Sequence, residues 1–226
     1  MIIQKYNYTP CDRTTIDGKR HYCLPDGSRV PSVTTILDKT KPEESRIALA
    51  NWRKAVGEAK AQQITTEAAN RGTRMHAYLE TYIQMDEMKP LPGNPFAHPS
   101  WFMAAQVILE GFANVNEFWG SEVPVYYSGL YAGTTDCVGL WKMQPAIMDF
   151  KQTNRPKKRE WIEDYFMQLT AYALAHNNMH GTDINCGVVL MCSSEGQYQE
   201  FEIQGNEFEH YTHKWLERVE AYHANN

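Results

Sequence analysis

The chain reads as an α/β protein, a central mixed sheet flanked by helices with an N-terminal β/helical extension. Two observations lead to that class. The hydrophobic period changes along the 226 residues from helical spacing to strand-like runs and back, giving the order ααα-βββ-α-ββ-α. Hydrophobic residues make up 42% and charged residues 22%, the balance of a folded chain rather than a disordered one. With no repeat, low-complexity tract or Ser/Gly linker, one domain is expected over 1–226, with N-terminal strands and helix in 1–63, a core in 64–204 and a final helix in 205–226.

The first forty residues suggest short strands around turns: RHYCL, a PDG turn, then SRVPSVTTIL. Pro42, Glu43 and Glu44 open a helix, whose Ala48, Leu49, Trp52, Ala55, Val56 and Ala59 form an apolar stripe that places Trp52 in the core. A second helix, about Thr65 to Gln84, carries Ala68, Met75, Leu79, Tyr82 and Ile83 on one face. After KPLPGNPFAHP, a third is expected from Trp101 through Phe112 to Trp119. SEVPVYYS, YAGTTDCVGLW and AIMDFKQT then read as strands. A helix of roughly eighteen residues begins near Trp161, followed by strands GVVLMC and YQEFEI and a helix over 206–223.

The net charge of −5 argues against a polycation that coats nucleic acid. It is unevenly spread: residues 1–75 hold 13 Lys and Arg against 8 Asp and Glu, and 76–226 hold 9 against 19, which suggests a basic face on an acidic body. The five cysteines include no CxxC, so neither a disulfide framework nor a zinc knuckle is expected. No apolar signal core or membrane-length stretch occurs, and an intracellular, cytoplasmic location without membrane association is the expectation.

The sharpest chemical feature is GTTD, Gly133 to Asp136, followed by DFK, Asp149 to Lys151. Strand alternation puts Asp149 and Lys151 on one face. A hairpin turn in WKMQP, near Met143, would set Asp136 opposite Asp149 or one diagonal step away, about 5–8 Å between Cβ atoms. Two such carboxylates can share a hard cation, Mg²⁺ or Mn²⁺, as one or two ions. Lys151 could then orient or deprotonate a water, or stabilise charge on phosphate. The plain alternative is a surface Asp–Lys pair, but Asp149 follows the apolar AIM, where a buried charge needs a partner or a metal. Glu122 in SEVPVYY either joins this acidic site or is an edge charge, and Glu80 is equally open.

In RGTRMHAYLE, His76 and Glu80 are i, i+4 neighbours, and Gly72 sits one turn before His76, where a helical glycine suggests a close approach. Gln168 and Tyr172 repeat the i, i+4 spacing. The basic run KQTNRPKKR, including Arg155, Lys157 and Lys158, starts at Lys151 and fits phosphate contact, with Arg71 and Arg74 adding to it from the helix. His176 and His180 fit a helix C-terminus better than a metal, and His210 and His213 a solvated face.

The ordered set G-x-x-x-H, G-T-x-D, D-x-K and Q-x-x-x-Y resembles the RecB-like branch of the PD-(D/E)XK nuclease superfamily. PSVTTIL (Pro31–Leu37) and ALANWRKAVG (Ala48–Gly57) look like the mitochondrial genome-maintenance exonucleases and their phage relatives. The resemblance spans roughly residues 30–175. It implies a restriction-endonuclease-like αβββαβ core, with His76, Asp136, Asp149 and the Phe150 carbonyl as metal ligands and Lys151 as the catalytic lysine. It further implies that Gln168 and Tyr172 line the cleft and that Ser32, Thr34 and Thr35 contact phosphate or a strand end. The cysteines lack the flanking pattern of an iron–sulfur cluster, so none is expected. The activity so implied is metal-dependent hydrolysis of DNA from single-stranded ends, in recombination, repair or replication. An endonuclease or duplex-end exonuclease with the same site, an idle nucleic-acid-binding domain and a zinc hydrolase on His176/His180 are the rivals.

Overall fold

A computed structural model describes residues 1–225. Strands β1 (Asp12–Ile16), β2 (Lys19–Cys23) and β3 (Arg29–Pro31) form a small antiparallel sheet, followed by helices α1 (Val33–Lys39), α2 (Glu43–Val56), α3 (Glu58–Met85) and α4 (His98–Gln106). The main sheet has order β4 (Val115–Tyr127), β5 (Tyr131–Trp141), β6 (Gln144–Thr153), β7 (Cys186–Ser193) and β8 (Tyr198–Gln204). Among the described strands of this sheet only β6 and β7 pair in parallel, joined through α5 (Glu163–His180), and α6 (Gly205–Ala224) follows β8. The expected mixed sheet flanked by helices is therefore what the chain forms. Among the described residues no helix is long and apolar enough to cross a membrane.

Both faces of the sheet are buried, which explains the near-continuous apolar character of β6 and β7. Val138, Ile147, Val189 and Met191 pack with α1, α5 and α6 around Trp215. Cys137, Met148, Phe150 and Leu190 pack with Met75, Leu79 and Ile83 of α3 and Met103 of α4. The hairpin at Met143 forms as expected: Trp141 pairs with Gln144, and Lys142 and Met143 take φ of 47° and 68°. Neither is glycine, and the turn is held by neighbours. The Met143 N–H donates to Asn116 Oδ1 at 2.7 Å, and Lys142 pairs with Glu200 and Glu202.

Four expectations are corrected. SRVPSVTTIL is strand only to Pro31: Ser32 Oγ accepts the Thr35 N–H at 3.0 Å, and this cap starts a helix that buries Val33, Ile36 and Leu37 despite their β propensity. The second helix begins earlier, at Glu58. The third ends at Gln106 and relaxes through a π-turn (Val107–Gly111) and a 3₁₀ turn (Phe112–Asn114), leaving Trp119 inside β4. Long antiparallel pairing with β5 outweighs the helical spacing there. Finally, α2 buries none of its residues, and Ile47, Leu49 and Trp52 are 51%, 49% and 36% exposed, so Trp52 is not core. Amphipathic spacing makes the helix, but its stripe stays largely in solvent.

Candidate active site

The β5–β6 ladder pairs Cys137 with Met148 and ends there, as β6 runs on beside β7. The Phe150 N–H beyond that point would lack an acceptor, and Asp136 Oδ2 takes it at 2.7 Å. This bond seats Asp136 beside Asp149, as the hairpin reading requires. Asp149 is 1% exposed, and its Oδ2 receives only the Lys151 ammonium, with no hydrogen bond of ordinary geometry. Lys151 also lies 4.9 Å over the Tyr165 ring.

From the opposite side α3 brings in His76, whose Nδ1 is 3.4 Å from Asp136 Oδ1. Its Nε2 donates to the Phe150 carbonyl at 2.8 Å. That carbonyl therefore orients the imidazole and leaves Nδ1 turned to the carboxylate, as carbonyls do behind histidines that bind metals. Gly72 admits the helix at this point, since a Cβ there would meet Gln152 Cγ at 3.2 Å. Gln168 Nε2 donates to the Tyr172 hydroxyl at 2.9 Å, and both side chains border the same cleft.

The electrostatics follow from burial and mutual charge. Burial pushes Asp149 up to about 6, against the pull of Lys151. Burial also disfavours charged Asp136, but His76, Lys151 and the Phe150 N–H outweigh it and hold its carboxyl below the usual range. His76 is the mirror case: burial lowers it, and Asp136 raises it further. Burial opposes the Lys151 charge too, yet Asp149 and Asp136 lift it above an ordinary lysine. Burial and then Asp136 raise Glu122.

These groups line a cleft of about 560 Å³. His76, Asp136, Asp149, Lys151, Gln168, Tyr172, Ser32 and Thr34 border it. Thr35 is turned inward, with its Oγ1 donating to the Arg20 carbonyl. Arg71 and Arg74 lie on α3 outside the lining, and Arg71 is held by Gln152 near the end of β6 and by Asn154 just after it. Arg155, Lys157 and Lys158 are not in the lining either: the Lys157 N–H is bonded to Gln199, and Lys158 faces Glu160 and the Trp161 ring. Arg159 of the same run pairs with Glu207. Basic residues close in sequence are here spread along a loop that ties β6 to β8 and α6.

Two cleft cations escaped the sequence reading, Arg13 and Arg20 on β1 and β2. The small sheet docks on the start of β5 through a Ser32–Ala132 bridge and a Tyr22 hydroxyl 3.2 Å from Thr134 Oγ1, and so becomes a wall of the cleft. No local motif marks arginines on a short exposed hairpin. Glu122, left open by the sequence, also faces the cleft: one atom each of His76, Glu122 and Asp136 lie within 4.8 Å of one another, a spread close to the ~4.2 Å between opposite oxygens on one Mg²⁺. A buried carboxylate beside this group is a donor set that suits a hard divalent cation. His176 offers nothing comparable, because its ring nitrogens are taken by Thr182 and Tyr8. Burial lowers it to about 4.

A mixed sheet with G-T-x-D and D-x-K on adjoining strands, a helical histidine and a Q-x-x-x-Y helix is consistent with a PD-(D/E)XK-like nuclease. Comparison with known proteins bears out the resemblance. The chain is 27% identical over 230 residues to mitochondrial genome maintenance exonuclease 1 of Xenopus tropicalis, covering 94% of this chain and 64% of that one. The human and mouse proteins of the same name are 25% and 28% identical, each over 85% of this chain. The chain thus spans 58–64% of the length of these relatives. A crystal structure of a candidate exonuclease from Eubacterium rectale aligns with TM-score 0.48 and 13% identity, over 69% of this chain and 65% of that one. No family model matches the chain.

Proposed function

We propose that the chain is a divalent-metal-dependent deoxyribonuclease that removes nucleotides from the ends of single-stranded DNA. The observation that carries this reading is Asp136, Asp149, Lys151 and His76 meeting at the base of one cleft, in a chain whose relatives are named exonucleases. His76 Nδ1, Asp136 and Asp149 would hold Mg²⁺ or Mn²⁺. When bound there, such a cation would supply charge neutralisation at the phosphate and a more acidic water.

The remaining work falls to the chain's own groups. Lys151, kept protonated by two carboxylates, donates to the oxygen on which charge develops rather than abstracting a proton. Burial holds the Tyr172 hydroxyl far above an ordinary phenol, so it remains a donor, oriented by Gln168. Arg13 and Arg20 on the small sheet, with Ser32 and Thr34 at the start of α1, face the site and suit the phosphates of the bound strand.

A time course on single-stranded DNA labelled at either end, with Mg²⁺ and with EDTA, tests the reading. Stepwise loss of nucleotides from one end in Mg²⁺ alone is expected. Equal cutting of circular single strands would overturn the exonuclease assignment, and activity in EDTA would overturn the metal.

A further inference from the structure

We propose that Glu122 is a metal ligand which, with His76 and Asp136, forms a cation position separate from Asp149; the inference rests on the nuclease reading above and refines it. The argument begins with the strand. β4 pairs Ser121 with Cys137 and Val123 with Thr135, so Glu122 stands across from Asp136. Two carboxylates facing each other across a ladder repel. The pair register slips just before, between Phe118 and Gly120, and Glu122 itself takes φ of 51°. A left-handed glutamate inside a strand is rare and costs energy.

What the bend achieves is a convergence. A Glu122 oxygen, an Asp136 oxygen and a His76 nitrogen come within 4.8 Å of one another. No described side chain donates a hydrogen bond to Glu122 or ion-pairs with it. The group does not extend to Asp149. That carboxylate, 1% exposed and bordering the same cleft, has only Lys151 at its Oδ2. Asp136 therefore stands between two incompletely satisfied acids, one on each neighbouring strand. A single cation on Asp136 and Asp149 would leave Glu122 facing Asp136 with only His76 and Arg13 to offset the repulsion. A cation on the Glu122 side answers that repulsion and uses the nitrogen that Phe150 orients.

The test is Mn²⁺ titration of the full chain at pH 8, by calorimetry and by the electron paramagnetic resonance of free Mn²⁺. Two binding events are expected. Glu122→Gln should weaken one at least tenfold and leave the other within about threefold, and Asp149→Asn should do the converse. If Glu122→Gln does not fold, Glu122→Gly, which suits the positive φ, takes its place. An isotherm unchanged by either Glu122 substitution overturns Glu122 as a ligand while the nuclease reading stands. A single event removed alike by the Glu122 and Asp149 substitutions overturns the separate position. A wild type that binds no Mn²⁺ overturns this inference and the metal reading together.

Discussion

The Tyr172 ring packs directly on Gly133: a Cβ at residue 133 would fall 2.4 Å from Cε1 and 3.2 Å from Cζ. The glycine of GTTD and the tyrosine of QLTAY are therefore one contact, 39 residues apart in the chain. The ring cannot move away, since it is 3% exposed and its hydroxyl is bonded to Gln168.

Gly133→Ala should accordingly destabilise the fold by about 1–3 kcal/mol through overpacking. That corresponds to a fall of roughly 2–12 °C in melting temperature for a chain of this size. The double variant Gly133→Ala/Tyr172→Leu should recover part of the loss. Differential scanning calorimetry of the four members of the cycle measures the coupling, and strict additivity would show that the contact carries no energy.

Removing the Lys151 ammonium should lower the cleavage rate about 10²- to 10³-fold, the usual effect of losing one donor to developing charge. Lys151→Met also leaves Asp149 buried without its partner. Its stability loss should be greater at pH 8 than at pH 5, where Asp149 takes up a proton instead. Single-turnover kinetics and melts at the two pH values check both effects, and equal loss at both pH values would argue that Asp149 and Lys151 are not coupled.

Mn²⁺ affinity should rise from pH 5 to pH 8, with protons released on binding. The cation needs deprotonated His76 and Asp149, and both hold their protons more tightly than free side chains, Asp149 up to about 6. In metal-free protein the protonated Asp149 carboxyl favours the fold below about pH 4, where folded and unfolded chains both carry the proton, and that contribution fades as pH rises through 6. Calorimetry in buffers of different ionisation enthalpy counts the protons. An affinity independent of pH would place the ion elsewhere.

Arg13→Ala and Arg20→Ala should each weaken single-stranded DNA binding and lower the salt slope by about 0.7. Lys157→Ala and Lys158→Ala, outside the cleft lining, should change it little. Fluorescence anisotropy in EDTA across a salt series distinguishes the two walls, and the reverse ranking would restore the loop after β6 as the binding surface.

Most of the fold was legible because its cues are local. Alternation placed β5 and β6, the two residues Lys142 and Met143 set their register, and that register alone brings Asp136 to Asp149. The misreadings share a cause: spacing reports which side of a segment is apolar, not whether anything covers it. It made Trp52 core although α2 buries none of its residues, and it carried a helix past Gln106 into β4. A single side-chain bond, from the Thr35 N–H to Ser32, was enough to turn a run of β-branched residues into α1.

The candidate site divides along the same line. His76, Asp136, Asp149, Lys151, Gln168 and Tyr172 were all named by order and spacing, since each sits in a short motif on a regular element. Arg13, Arg20 and Glu122 were decided only by tertiary structure. The arginines reach the cleft because Tyr22 and Ser32 dock a distant hairpin on β5, and Glu122 because its strand bends at a positive φ. The sequence by itself determined which carboxylates and which lysine share a strand pair, because backbone pairing has a fixed period. Which charges close around them depends on contacts between elements far apart in the chain, and no period records those.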